Sequence, residues 1–372
     1  MNKLVPITLI TGYLGAGKTT LLNYVLKNQE GYKVAVIVND IGEVNIDESL
    51  IAKGGQVTTK DENLVPLQNG CICCTLKVDL MDQIINLVKT NRFDYILIEA
   101  SGICEPIPIA QTIQMLSGAG YDQGLPTICR LDNVVSVVDA KRLVDEFAGG
   151  DNLLKDDIDE DDVENLLVQQ IEFCNTIILN KIDDISSSEK NTVRSTILAL
   201  QPSAKIIETN YGVVKMNQIF DTKLFDFNEA INAPGWVQAL QEEEEEPETE
   251  EYGIGTFVYR AVRPFDKEKF EDYVLHAFPR NIIRSKGMVW FSNERKKALI
   301  FEQAGKQKTL AELGLWIAAA PALERERMLD EQPEIRDSWD PVYGDRLNKI
   351  VFIGQKMDRE KITKDLDNCL GD

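Results

Sequence analysis

Gly12-Tyr13-Leu14-Gly15-Ala16-Gly17-Lys18-Thr19 is the stretch that decides the fold of this chain. It fits the pattern G-x-x-x-x-G-K-[ST] at every position. An apolar run over residues 4–10 precedes it and a helical pattern over 19–26 follows, the strand–loop–helix setting the pattern needs. Its glycines let successive backbone N–H groups converge on phosphate oxygens at the positive end of the following helix. Lys18 is expected to neutralise charge on the β- and γ-phosphates and the Thr19 hydroxyl to ligate Mg²⁺. Gly12, Gly15, Ala16, Gly17, Lys18, Thr19 and Thr20 are then the nucleotide-binding residues of the loop.

Outward from the loop, nearly continuous hydrophobic runs recur at residues 33–38, 95–98, 133–138 and 176–179. That is how strands buried on both faces of a parallel sheet read. Helical patterns over 78–88 and 188–200 lie between them. The alternation predicts a doubly wound, mostly parallel α/β domain over residues 1–237, with ligands at the carboxyl ends of its strands. At 238–252 the grammar breaks into a run of glutamates around Pro247, which can bury nothing and predicts a solvated linker. Residues 253–372 predict a smaller α+β domain. Asp266 opens a helix there with Phe270, Tyr273, Val274, Ala277 and Phe278 on one face. Strand-like runs follow at 288–291, 298–301 and 350–353. A last helix starts at Asp358 and buries Ile362, Leu366 and Leu370.

The charge balance of the 372 residues is strongly acidic, with 40 Lys+Arg against 61 Asp+Glu and a net charge of −21. Most of it sits in two blocks: residues 151–164 carry eight acids and one lysine, and 242–251 carry eight acids and no base. An acidic chain gains nothing from counterion release, so nucleic acid is not an expected partner, nor is an anionic membrane surface. The N-terminal apolar stretch is interrupted by Pro6 and Thr8 and is too short for a signal sequence. The seven cysteines lack the spacing of a disulfide framework. A reducing, cytoplasmic setting is expected, where clustered thiols point to metal or redox chemistry.

Asn180-Lys181-Ile182-Asp183 follows directly on the run 176–179, the place of the guanine-reading N-K-x-D element of P-loop GTPases. A carboxylate at its fourth position accepts from guanine N1–H and N2–H₂, which adenine lacks. GTP is therefore expected over ATP. The run 95–98 ends in Glu99-Ala100-Ser101-Gly102. An acid at a strand tip with glycine three residues on is where such enzymes place a water-mediated Mg²⁺ contact and a γ-phosphate-sensing N–H. Lys18, Glu99 and Gly102 are the catalytic candidates.

Gly70-Cys71-Ile72-Cys73-Cys74 is the second strong signal. Three thiolates from four residues suit a soft or borderline divalent cation, Zn²⁺ above all, with Co²⁺ and Fe²⁺ also feasible. Buried free cysteines and a redox dithiol are the competing readings. A closed structural zinc site wants a fourth ligand, so the incomplete set suits a site that accepts and releases metal. Residues 40–47, Asp40-Ile41-Gly42-Glu43-Val44-Asn45-Ile46-Asp47, follow the second strand. They could sense Mg²⁺ and γ-phosphate or lend the thiols an oxygen ligand, with Glu43 the candidate.

GYLGAGKTTLLN, VNDIGEVNID, GCICC, IEASG and NKID, in that order, resemble the CobW-like family of GTPases, relatives of the hydrogenase and urease maturation GTPases HypB and UreG. RSKGMVWF, GDR and VFIGQKMD resemble the family's C-terminal domain. The resemblance implies GTP hydrolysis coupled to delivery of a metal, often zinc, to a client metalloprotein. Some members serve cobalt or iron enzymes instead, in corrinoid synthesis or nitrile hydratase activation. It also implies that Cys71, Cys73 and Cys74 bind the transported metal and that Asn180 and Asp183 read guanine. Val38 stands where some members have Glu and Ala100 where many have Thr. The His-rich tract of many members is missing, since His276 is the one histidine. Trp290 and Trp339 are expected to be exposed and to help choose the client. A metal sensor or sequestering module with vestigial turnover is the alternative. A metabolite kinase or ATPase leaves NKID and GCICC unexplained. The sequence leaves room for a homodimer.

Overall fold

The computed structural model describes residues 4–27, 31–38, 64–66, 76–118, 125–147, 163–241, 253–305 and 307–371. Cys71, Cys73, Cys74, Glu43, the segment 40–47 and the acidic blocks up to Asp162 and over 242–251 lie outside these residues. The chain divides into two compact units. One holds most of the first 234 residues; the other holds 146–165 and everything from Gly235 on.

The first unit is built on a seven-stranded sheet in the order β3-β2-β4-β1-β5-β6-β7, every pair parallel. The strands are β1 Val5–Thr11, β2 Val34–Val38, β3 Leu64–Pro66, β4 Tyr95–Glu99, β5 Cys129–Asp139, β6 Thr176–Asn180 and β7 Lys205–Glu208. β2, β4 and β6 are buried at every residue, which is why they read as unbroken apolar runs. Helices Lys18–Lys27, Leu76–Lys89 and Ser187–Leu200 lie where the 3.6-residue period placed them. The last is started by Ser186, whose side chain accepts from the Glu189 N–H while Glu189 accepts from the Ser186 N–H. The short β3 and β7 and the helices Pro106–Met115, Ala140–Phe147 and Val163–Glu172 were not read from sequence.

A buried polar network crosses this sheet. Thr8 and Tyr95 share a hydrogen bond of 2.8 Å, and the Tyr95 hydroxyl donates to Asp132 at 2.6 Å. Asp132 also accepts from Arg130 and from the backbone N–H groups of Thr222 and Lys223, at 2.8 Å each. Burial works to raise the Asp132 pKa, but the Tyr95, Arg130, Lys223 and Thr222 donors outweigh it and hold the carboxyl below its usual range. Its share of the stability is therefore complete above the ordinary carboxylate pKa and lost as pH falls through the lowered folded value. Asp132→Ala is expected to cost about 3 kcal/mol, because it strands the buried Tyr95 hydroxyl and removes the acceptor of Arg130 and of two backbone N–H groups. Urea unfolding at neutral pH checks this, and the variant should lose the wild type's steepest destabilisation below about pH 4.

The second unit is an antiparallel five-stranded sheet, β11-β10-β9-β12-β8. Its strands are β8 Ile254–Ala261, β9 Ile282–Val289, β10 Lys297–Ala304, β11 Gln307–Leu315 and β12 Asn348–Gln355. Helix Gly235–Gln241 packs on β12, β8 and β9, with Lys286 4.4 Å from the Trp236 ring centre. The core is aromatic: Phe257 stacks on Phe352 and Phe265 on Phe270, under the helix Arg359–Asn368. Asp358 caps that helix at the Lys361 N–H, and Ile362 and Leu366 are buried as expected. The helix opened by Asp266 departs from its expected register. It runs Lys267–Asp272 and then widens into a π turn over Tyr273–Ala277, which keeps Tyr273 and Val274 inside and puts Ala277 outside. His276 is exposed on that turn, 3.9 Å from Asp272.

Trp290 corrects another expectation, for it is only 1% exposed. It follows β9 directly, its backbone N–H donates to the Asn348 side-chain oxygen, and Tyr343 and Arg346 lie over its ring. Trp339 is half-buried. Among the described residues no helix is long and apolar enough to cross a membrane.

Candidate nucleotide site

The loop quoted at the outset lies where β1 ends between β4 and β5, at the carboxyl rim of the sheet. This is the crevice where open parallel sheets bind ligands. The loop turns on glycines at positive φ. At Gly17 φ is +110°, and an added Cβ would lie 2.3 Å from the Asn180 side-chain nitrogen. No other residue fits there. The helix then opens at Lys18, with the Leu21 N–H donating to the Gly17 carbonyl at 2.9 Å. Lys18 is buried, and its Nζ reaches back over the loop to the carbonyls of Gly12 at 2.7 Å and Tyr13 at 3.2 Å. The ammonium therefore stands inside the loop's ring of backbone groups, where a phosphate chain would be cradled. Thr19 is half-buried at the start of the helix and Thr20 is exposed.

The element Asn180-Lys181-Ile182-Asp183 comes to the same rim, because β6 runs beside β5 with Asn180 paired to Asp139. Its members part company in space. The Asn180 amide donates to the Ala16 carbonyl at 2.9 Å and accepts from the Gly212 N–H at 3.2 Å. Both ends of that amide are engaged within the protein, so Asn180 ties the phosphate loop to β6 with one amide hydrogen still to give. Lys181 sits at a left-handed φ of 61° with its ammonium on the Asp139 carboxylate. Asp183 stands exposed in the turn Ile182–Asp184, and its backbone N–H donates to the Asn210 side chain at 3.2 Å. It is the member of the four presented outward. Asp139, Asn210 and Gly212 had no motif of their own. Only the strand register and the loop after β7 bring them here.

Glu99 closes β4 in register with Ile10 of β1 and Val38 of β2, and it is buried. The next N–H, of Ala100, donates to the Ile10 carbonyl at 2.8 Å. Gly102 lies against the phosphate loop so closely that a Cβ there would be 2.8 Å from the Leu14 backbone nitrogen. Buried Gln170, from the helix Val163–Glu172, spans this second loop and donates to the carbonyls of Gly102 and Cys104 at 3.3 Å each. Lys18, Glu99 and Gly102 are thus gathered at one rim. Val38 is also in register with Pro66, so β3 leaves the sheet on that rim, ahead of the thiol-bearing stretch.

Among the described residues no group of three or more His, Cys, Asp and Glu could hold a metal ion. Cys104, Cys129, Cys174 and Cys369 are free and buried. Burial pushes the Cys129 thiol up to about 12 and Cys174 higher still, so both stay protonated and inert at neutral pH. The donor set of the nucleotide site is hard: backbone N–H groups, one ammonium, a hydroxyl and a carboxylate. That set fits a phosphate chain with Mg²⁺.

Two family models match. One, described as the CobW/HypB/UreG nucleotide-binding domain, covers residues 6–208, and the other, the cobalamin synthesis protein cobW C-terminal domain, covers 254–370. Over 381 aligned positions the chain is 38% identical to "Zinc-regulated GTPase metalloprotein activator 1" of Dictyostelium discoideum, covering 98% of this chain and 80% of that protein. It is 28% identical to "Zinc chaperone YjiA" of Escherichia coli, covering 79% and 85%. The crystal structure of Zn(II)-bound YjiA GTPase aligns over 99% of this chain and 100% of that one, at 23% identity and a TM-score of 0.45. With the phosphate loop at the rim of a parallel sheet and both models matched in order, the chain belongs to the CobW/HypB/UreG family.

Proposed function

We propose that this chain is a GTP-hydrolysing metallochaperone. It carries a transition metal, zinc in the first place, on Cys71, Cys73 and Cys74 and passes it to a client metalloprotein under control of the bound nucleotide. The observation that carries the reading is the bolting of the NKID element onto the phosphate loop through Asn180, Ala16 and Gly212. A base-reading carboxylate and a phosphate cradle held in one rigid piece are what discrimination of a guanine nucleotide requires. Support for the metal comes from the three thiols in four residues and from the printed names of the relatives.

In this reading Lys18 holds the β- and γ-phosphates, Thr19 and, through water, Glu99 hold Mg²⁺, and Asp183 takes the guanine edge. Bound Mg²⁺ supplies charge neutralisation across the β- and γ-phosphates. The Gly102 N–H, in a loop fixed by Gln170, is placed to register the γ-phosphate. β2 and β3, which precede the segments 40–47 and 71–74 in the chain, both end on the rim that carries the phosphate loop. Nucleotide state and thiol geometry are thereby coupled, and hydrolysis relaxes the grip on the metal. The partner is a client protein, with nucleic acid and membrane surfaces disfavoured by the acidic balance.

Zinc affinity measured by competition with a chromophoric chelator, in the presence of GDP and of a non-hydrolysable GTP analogue, tests this coupling. The two affinities are expected to differ by about tenfold or more, roughly 1.4 kcal/mol. Equal affinities would leave a zinc sensor or sequestering module, since a ligand that binds two states equally shifts neither.

A further inference from the structure

The second unit holds a cavity of about 440 Å³ between the helix Ala322–Glu331 and the segment that leads into β12. In a chain of net charge −21 its lining carries three cations against one acid: Arg325, Arg336 and Arg346, with Glu326, and Trp339 beside them. Arg336 is tied back to Glu326 and Asp330. Arg346 donates to the backbone carbonyls of Arg295 at 2.7 Å and Tyr343 at 2.8 Å, so its guanidinium is fixed in place without a carboxylate in hydrogen-bond contact. Burial lowers its pKa, and the neighbouring Asp345 opposes that pull while Arg295 adds to it. Arg325 is partly buried, and its guanidinium makes no ion pair or hydrogen bond among the described residues. Arg325 and Arg346 therefore converge on one cavity whose acid, Glu326, is taken up by Arg336.

We propose that this cavity receives a Glu or Asp side chain from a peptide segment of the chain's protein partner. A guanidinium fork matches a carboxylate bidentately, and Arg325 and Arg346 both have donors left to give. The rim argues for a peptide over a small inorganic anion. Val342 in the lining is 78% exposed, beside Trp339 and Pro341. These three offer apolar contact next to the anchoring charge. A free phosphate has no use for these contacts, whereas an acidic residue flanked by an aliphatic one uses both. This deepens the proposed function by giving the chemistry of the client's docking segment, and it rests on that reading only for the partner being a client.

The test uses the full chain without nucleotide or metal and follows the anisotropy of a fluorescein-labelled peptide of glutamates around a central leucine. Saturable binding is expected. Arg325→Glu should weaken it by about tenfold or more, and Arg325→Lys, which keeps the charge but not the fork, by less. GTP turnover and zinc affinity should be unchanged in both variants, since Arg325 lies in neither site. Binding to Arg325→Glu as tight as to wild type would overturn the proposal, as would displacement of the peptide by equimolar inorganic phosphate. Loss of the state-dependent zinc affinity with peptide binding intact would sink the metallochaperone reading and leave this one standing.

Discussion

Asp183→Asn is expected to move the nucleotide preference of this chain from GTP to XTP, a combined change on the order of 10⁴-fold. In the proposed reading the carboxylate accepts from two guanine donors, N1–H and N2–H₂. An amide in its place can accept from only one of them and turns its own NH₂ against the other. Xanthine carries a carbonyl where guanine carries N2–H₂, so the same amide finds an acceptor. The substitution is conservative for the fold. Asp183 is exposed in the turn Ile182–Asp184, and that turn is held by its backbone N–H on Asn210, which the variant keeps. Its thermal midpoint should therefore match the wild type within a degree or two, separating loss of base reading from loss of structure. Binding of mant-labelled GTP and XTP gives the two affinities directly. A wild type that takes ATP as well as GTP, with a variant that changes neither, would end the guanine reading.

Cys73→Ser is expected to abolish tight zinc binding, from one zinc per chain to a small fraction, with affinity lower by at least about 100-fold. Serine's hydroxyl stays protonated at neutral pH, and a thiolate is the soft donor a borderline cation selects. The described cysteines cannot stand in for it, because Cys104, Cys129, Cys174 and Cys369 are buried and scattered over two units. Cys129→Ser is the matching control and should bind zinc as the wild type does. Metal content after gel filtration, measured by emission spectroscopy, decides the point. Basal GTP turnover without zinc should survive in the variant, since Lys18, Asn180 and Asp183 are untouched. Full zinc stoichiometry in Cys73→Ser would remove the thiols from the proposed function.

The sequence was most informative where chemistry is contiguous. The phosphate loop needs eight successive residues, each explained by its own covalent structure, so its reading survives without any tertiary knowledge. The strands β2, β4 and β6 were equally plain, since burial on both faces leaves no polar residue to blur the pattern. Features of mixed periodicity were not plain. β11, QKTLAELGL, is largely exposed along its length and carries no alternation to announce a strand. The π turn at Tyr273–Ala277 inserts extra residues into a helical period and moves Ala277 to the outside. Trp290 was misplaced because an isolated tryptophan after a strand says nothing about which residues close over it. Tyr343 and Arg346, more than fifty residues later, do so here.

By itself, then, the sequence determined that this chain has a phosphate loop at the head of a doubly wound sheet, a thiol triplet, a guanine-type element and two acidic blocks that carry most of its negative charge. Each is a local pattern whose meaning lies in residue types a few positions apart. Only the tertiary structure decided how those patterns divide the work. Strand register sets Asn180 beside Asp139 and within 2.9 Å of Ala16, so its amide also locks the loop, while Asp183 faces outward. The same register brings Gln170 from a helix with no motif across the Gly102 loop. The reason is physical. A hydrogen bond between residues 164 positions apart depends on which strands are neighbours and by how much they are staggered, and no run of residue types along one strand encodes its neighbour's stagger.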